Sequence, residues 1–244
     1  MVETLRGLWR ELGGLVLPAV CAGCGTARAV LCGGCRALLC GAGAVPRPVR
    51  PVPEPAGLPV VYAAVEYAGP PRAVLLAHKE RGALSLAAPL GRALALSVGA
   101  VRADGDRAAR PGTGRVLALV PVPSARAATA RRGHDPVRRI ALAAAARLRR
   151  EGCAVRVLPV LRQTRAVADQ AGLGAGARRA NLAGALTAEG GRALPAGDPV
   201  VLVDDVVTTG ASLAEAARAV RAAGGRLLGA AVVAGTRSAP GERG

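Results

Sequence analysis

Two adjacent carboxylates, Asp204 and Asp205, followed at once by Thr208, Thr209, Gly210 and Ser212, have the types and spacing to do chemistry in this sequence. They close an apolar run, Val200, Val201, Leu202 and Val203, which is β-branched and lacks polar alternation. That is the pattern of a parallel strand buried on both faces. Open α/β sheets bind ligands at the carboxyl ends of their strands, where two neighbouring carboxylates can accept from the paired hydroxyls of a ribose. The following ASLAEAARAVRAAGG predicts a helix, so its first-turn N–H groups and the nearby hydroxyls converge on one point and favour a phosphate. A helix cap would account for one hydroxyl but not for the cluster. The combination reads as a site for a ribose 5-phosphate.

A second set of reactive side chains lies near the other end. Four of the six cysteines fall in two knuckles, Cys21-Ala-Gly-Cys24 and Cys32-Gly-Gly-Cys35. Two such turns can aim four thiolates at one ion, and the expected occupant is a structural zinc. Disulfides fit poorly with a chain that shows no export signal. The gap between the pairs is shorter than that of ribbon-type sites. Cys40 could replace a ligand, and Cys153 reads as an ordinary buried cysteine.

The elements that position these groups can be read from pattern. The start, with Leu5, Leu8, Trp9, Leu12 and Leu15 at helical spacing, predicts an amphipathic helix. The proline-dense stretch at 42–59 reads as an extended linker. Strands are expected at 60–67, 115–123 and 155–161, and helices at 70–82, 83–101 and from Asp135-Pro136 onward, the last opened by an N-cap and a first-turn proline. Lys79 ends the 70–82 helix, and His78 beside it reads as a surface or supporting residue. After Pro123 the chain enters an arginine-rich loop with Arg126, Arg131 and Arg132. Forked, permanently charged donors at a strand end suit a polyphosphate, although a merely solvated loop would have the same composition. The segment 162–187 adds Gln170, Arg178, Arg179 and Asn181.

The 244 residues are 51% hydrophobic, enough for one α/β domain with an appendage. The expected division is a four-cysteine head at 1–41, a linker at 42–59 and the main domain at 60–244. No apolar run approaches the ~20 residues of a membrane span, and Glu3, Arg6, Arg10 and Glu11 stand where a signal peptide needs an apolar core. A cytoplasmic protein without membrane insertion is expected. The net charge of +17 would suit nucleic acid. It is nearly all arginine, with Lys79 the sole lysine, and codon composition alone could produce that bias. With no Phe, two Tyr and one Trp, single strands would find no stacking platform.

LVDDVVTTGAS resembles the signature loop of the type I phosphoribosyltransferases, which bind phosphoribosyl pyrophosphate (PRPP) with magnesium. CxxCG then CxxC, a lysine-bearing first helix, VPVP, Arg132-Gly133, the segment from Gln170 to Asn181 and DDVVTTG follow in that order. In that order they resemble the ComF family of phosphoribosyltransferase-like proteins linked to DNA uptake. The resemblance implies a zinc-ribbon-like head on a parallel sheet flanked by helices. It puts Asp204 and Asp205 on the ribose, and Val207, Thr208, Thr209, Gly210, Ala211 and Ser212 on the 5-phosphate. The loop after VPVP would hold pyrophosphate, with Lys79, Arg126, Arg131 and Arg132 as the catalytic cations. His134-Asp135-Pro136 departs from the family pattern, which has an aromatic residue, Asn and Gln there. Transfer of ribose 5-phosphate to an unidentified nucleobase or related acceptor is the implied activity. The alternative is an accessory role in DNA uptake, contacting a helicase or single-stranded DNA with a regulatory or vestigial PRPP site. A PRPP-sensing regulator ranks last, because no helix-turn-helix segment is apparent. An oligomer is compatible with each.

Overall fold

The computed structural model describes residues 19–108, 116–124, 129, 133–164, 184–188, 194 and 197–236. In chain order these form α1 (Gly33–Cys40), β1 (Arg47–Val49), β2 (Val61–Glu66), α2 (Gly69–Glu80), a short 3₁₀ turn (Leu84–Leu86) and α3 (Ala87–Ala108). There follow β3 (Leu117–Pro121), α4 (Pro136–Arg150), β4 (Val155–Val157), β5 (Leu161–Gln163), β6 (Leu186–Ala188), β7 (Pro199–Val207), α5 (Ala211–Ala222) and β8 (Arg226–Gly235). The six-stranded sheet runs β1-β2-β8-β7-β3-β4, and β5 pairs with β6 separately. All its pairings are parallel except β1 with β2.

Alternate residues of the central strands feed two cores. Val201 and Val203 of β7, Leu117 and Leu119 of β3, and Ala231 and Val233 of β8 face the core built with α2, α3 and α4. Val200 and Leu202, Ala118 and Val120, and Ala230 and Val232 face the core built with α5 and the β5–β6 ribbon. A period of two with apolar side chains on both faces is what a sheet covered on both sides requires. The fold is therefore α/β, with a mainly parallel sheet flanked by helices.

Three sequence expectations change. The stretch 42–59 is not a plain extended linker: it turns at 42–43 and 56–57, and Arg47–Val49 is an edge strand whose Pro48 pairs with Tyr62; proline is tolerated at a sheet edge because no inner neighbour needs its missing N–H. Strand β8, which the composition did not announce, lies between β2 and β7. His78 is fully buried, not at the surface. It follows Val74 and Leu75 on the inward face of α2, and its Nδ1 lies 3.3 Å from the Ala83 carbonyl oxygen.

Contrary to the expectation that no apolar run approaches the length of a membrane span, the 3₁₀ turn and α3 together hold a stretch of 22 residues, Leu84–Gly105, that is apolar enough to cross a membrane by length and composition. Burial explains it: Leu90, Ala93, Leu94 and Val98 are wholly enclosed, and the buried Ser97 hydroxyl donates to the Val232 carbonyl at 2.8 Å. Against α4 the backbones nearly touch. A Cβ on Gly91 would lie 2.5 Å from Ala143 Cβ and 2.8 Å from Ala144 N, whereas one on Gly99 of the same helix meets nothing within 4 Å. Two substitutions should therefore have opposite signs. Gly99→Ala should stabilise by up to about 1 kcal/mol through helix propensity, and Gly91→Ala should destabilise by about 1–3 kcal/mol through overpacking. Denaturant midpoints measure both; equal midpoints would mean the helices part without cost.

Candidate functional site

The site is where β3 stops and β7 continues. Their pairing ends with Pro121 opposite Val203, closed by the Val122 N–H donating to the Val203 carbonyl at 2.9 Å. On its other edge β7 stays paired with β8 as far as Val207 opposite Gly235. Asp204 and Asp205 therefore begin where one neighbour is lost. The helix following β3, α4, packs in one core and the helix following β7, α5, in the other. Adjacent parallel strands whose connections leave to opposite faces open a crevice at their carboxyl ends.

Consecutive strand residues point to opposite faces, and the two aspartates separate accordingly. Asp205 is buried at 4% exposure and pairs with Lys79 from the last turn of α2, Nζ to Oδ2 at 2.7 Å. Asp204 is half-buried, and its Oδ1 accepts the Asp205 N–H at 2.8 Å. Burial, then the neighbouring Asp205 carboxylate, push Asp204 well above the usual carboxylate range, with Lys79 opposing them. A cation or hydroxyl donors at the mouth would relieve that repulsion.

Beyond Val207 the chain turns into α5. Thr208 is exposed, and Thr209 and Ser212 are half-buried. The Ala211 N–H approaches Thr209 Oγ1 at 3.5 Å. Gly210 caps the helix in the left-handed region at φ 72°, and a Cβ there would lie 3.1 Å from Leu58 and 3.2 Å from Pro51. Only glycine suits both the angle and the space. The proline-dense stretch thus packs onto the turn, and Arg221 of α5 fastens it by donating to the Gly57 carbonyl at 2.8 Å. Sequence reasoning assigned Pro51 and Leu58 no part in the site.

Arg126, Arg131 and Arg132 lie outside the described residues, as do Gln170, Arg178, Arg179 and Asn181. The described ends of the arginine loop are at the crevice: β3 enters it, and α4 follows it with Asp135 as N-cap, accepting the Arg138 N–H at 3.0 Å, and Pro136 in the first turn. Just before that cap, the His134 ring packs 6.0 Å from His78, centroid to centroid. Burial is the largest effect on the His78 imidazole and lowers its pKa.

The four cysteines form the second cluster. The Sγ atoms of Cys21, Cys24, Cys32 and Cys35 all lie within 4.8 Å of one another, and Cys24 and Cys32 are 3.6 Å apart. All six cysteines of the chain are free thiols. Tetrahedral zinc with Zn–S near 2.3 Å needs sulfurs roughly 3.8 Å apart, so the donor set and its spacing fit that ion. The Cys32 N–H donates to Cys21 Sγ at 3.3 Å, and the Cys35 N–H lies 3.5 Å from Cys32 Sγ. Burial pushes the Cys21 thiol up, but the N–H groups of Cys32, Cys24 and Gly23 outweigh it and bring the pKa down to about 6. Burial pushes the Cys35 thiol up, and the neighbouring cysteines add to the rise. Cys40 stands outside the cluster, its thiol directed at the Arg36 carbonyl.

Residues 158–243 match the family model of the phosphoribosyl transferase domain. The match takes in β5, β6, β7, α5 and β8, and with them the two aspartates and the turn at Gly210. It supports a type I phosphoribosyltransferase relationship for that part of the chain. The chain matches no curated protein.

The cysteine cluster is set into the main core rather than beside it. Cys21, Leu31, Cys35 and Leu39 share one cluster with Val74 and Leu75 of α2 and Leu90 and Leu94 of α3, and a Cβ on Gly23 would meet Cys35 Sγ at 2.7 Å and Pro70 of α2 at 3.2 Å. Purified protein should carry about one zinc per chain, lost in Cys21→Ser and Cys35→Ser by elemental analysis. Chelation should lower the melting temperature of the whole protein in one transition. Two separate transitions would show that the head melts by itself.

Proposed function

We propose that the protein is a phosphoribosyltransferase that binds PRPP with magnesium and transfers its ribose 5-phosphate to a nucleobase or related acceptor. The observation that carries this reading is the crevice at the β3 and β7 ends, lined by Asp204 and the Thr208 to Ser212 turn, inside the stretch that matches a phosphoribosyl transferase domain. In the transfer the acceptor nucleophile forms a bond to C1 of the ribose as the C1–O bond to pyrophosphate breaks. Pyrophosphate departs with the electron pair. Magnesium, bound with PRPP, would supply charge neutralisation on pyrophosphate and ribose oxygens, and the oxygen donors at the mouth suit such a hard cation.

The chain's own residues do the positioning. Thr208, Thr209, Ser212 and the first-turn N–H groups of α5 hold the 5-phosphate, helped by the helix dipole. Asp204, left half-exposed at the strand end, accepts from the ribose hydroxyls. Asp205, held by Lys79, aligns the base of the site, and the Lys79 ammonium anchored there contributes positive charge towards the leaving group. Arg126, Arg131 and Arg132 balance the charge that grows on pyrophosphate, a contribution that strengthens towards the transition state. Zinc at the four thiolates is structural in this reading, and a cytoplasmic setting keeps those thiols reduced.

One observation favours a second reading, binding of single-stranded DNA or a helicase as an uptake accessory. Arg138 and Arg139 are exposed at the start of α4, which follows the arginine loop, and a phosphate backbone could run across them. Binding that weakens steeply with salt would support it.

Magnesium and PRPP together should raise the melting temperature more than either alone. Asp204→Asn with Asp205→Asn should weaken PRPP at least tenfold, about 1.4 kcal/mol. With a panel of nucleobases, pyrophosphate release is expected for at least one. Arg131→Ala with Arg132→Ala should then depress turnover far more than PRPP affinity. Protein that binds PRPP and releases no pyrophosphate with any acceptor would remove the enzyme reading and leave the accessory one.

A further inference from the structure

Helix α5 buries a charged residue on a flank of small side chains. Glu215 is 7% exposed, four residues from the buried Ala211 and Ala219 on its side of the helix. A carboxylate in that place must be fully partnered, since a buried charge left alone costs far more than an exposed one. Its partners are specific. Oε1 accepts the backbone N–H of Leu186 in β6 at 3.0 Å, and Arg218, one turn further along α5, donates to both carboxylate oxygens at 2.9 and 2.8 Å. The same guanidinium donates to the Leu186 carbonyl at 2.7 Å. Burial pushes the Glu215 carboxyl up, but Arg218 and the Leu186 N–H outweigh it and hold its pKa below the ordinary value.

Both backbone groups of Leu186 are thus taken by two side chains of α5, which act towards β6 as a neighbouring strand would. Leu186 pairs across the ribbon with Gln163 of β5, and the ribbon is closed above by Thr164, whose N–H donates to the Ala185 carbonyl at 3.0 Å and whose hydroxyl donates to the Gly184 carbonyl at 3.1 Å. Thr164 and Gly184 are the two ends of the connection 165–183. The N-terminal turn of the same α5 is the turn at Thr208 to Ser212.

We propose that Glu215 and Arg218 are positioning residues that lock the β5–β6 ribbon onto the helix bearing the phosphate turn, so that a ligand at the turn steadies the ribbon. The inference deepens the transferase reading and rests on it for the ligand. The pair acts through the backbone of the ribbon, at Leu186 above all.

Hydrogen–deuterium exchange on the full-length, zinc-loaded chain tests this, with peptides covering 161–188 and 200–215, free and with magnesium-PRPP. In the native protein, ligand should slow exchange in both peptides. In Arg218→Ala and Glu215→Ala, exchange of 161–188 should rise at least tenfold in the free protein, PRPP affinity should change less than threefold, and ligand protection should stop at 200–215. Arg218→Lys, which can still donate to the Leu186 carbonyl, and Glu215→Gln, which can still accept its N–H, should recover part of the coupling; they also serve if the alanine variants do not fold. Unchanged exchange of 161–188 in the variants, or protection that still reaches it, would overturn the proposal. If the native protein fails to bind magnesium-PRPP, the transferase reading falls, and the lock is then decided by the free-state exchange of 161–188 alone.

Discussion

Strand β7 is enclosed on both faces and hydrogen-bonded on both edges up to Val203, and a strand so placed can hold polar side chains only where one neighbour ends. β3 ends at Pro121, and the next two residues of β7 are aspartates. This constraint organises the chemistry around it. Asp205, pointing back under the helices, has to be neutralised, and the cation comes from Lys79 at the end of α2. Asp204, pointing to the other face, stays at the opening, where the carboxylate charges repel each other. A free site of this kind favours ligands that bring hydroxyl donors or a divalent cation, which is what a ribose phosphate with a hard metal supplies.

Lys79 also connects the two clusters. Its helix begins at Gly69 with Pro70, against which the Cys21 to Cys24 knuckle packs, and ends at the residue that pairs with Asp205. In between, Val74 and Leu75 share a core with Cys21, Cys35 and Leu39. A metal that fixes the four thiolates therefore fixes the N-terminal end of a rigid rod whose other end reaches the site. An appended head on a free linker would have no such route, and the packing of Pro51 and Leu58 on Gly210 shows that the linker stretch is itself bound to the turn that opens α5.

What could be read in advance followed from patterns with one physical meaning. Val200 to Val203 spelled a two-sided strand, Asp135-Pro136 a helix start, and the paired CxxC turns a thiolate cluster. What escaped reading depended on packing. β8, Arg226–Gly235, is built largely of alanine, glycine and valine, residues whose local preferences do not separate a strand from a helix, and its place beside β7 is decided by long-range pairing. His78 sits next to a lysine in a polar-looking triplet, yet the helix phase turns it inward. Glu215 left a signal that went unused: a carboxylate with alanine four residues before and after it, Ala211 and Ala219, on a helix flank of small apolar residues is a candidate tether, and the structure shows a tether.

The arginine excess has a structural share that the sequence count hides. The protein has no Phe and one Trp, so its core is made of small side chains and its elements approach until glycine is required, as at Gly91 against Ala143 and at Gly229, where a Cβ would lie 2.9 Å from Val101 Cγ1. Short ribbons and irregular stretches cannot be held to such a core by large apolar anchors. Arginine holds them by their carbonyls instead: Arg218 takes Leu186, Arg221 takes Gly57 and Arg149 takes Val155. A guanidinium suits that task, because its several fixed donors reach a backbone oxygen while its stem packs on the surface. Each arginine engaged in this way spends its hydrogen-bonding geometry within the fold, so the net charge of +17 overstates what is arranged for a partner, and the charge available to a polyanion is concentrated where arginines have no carbonyl to hold.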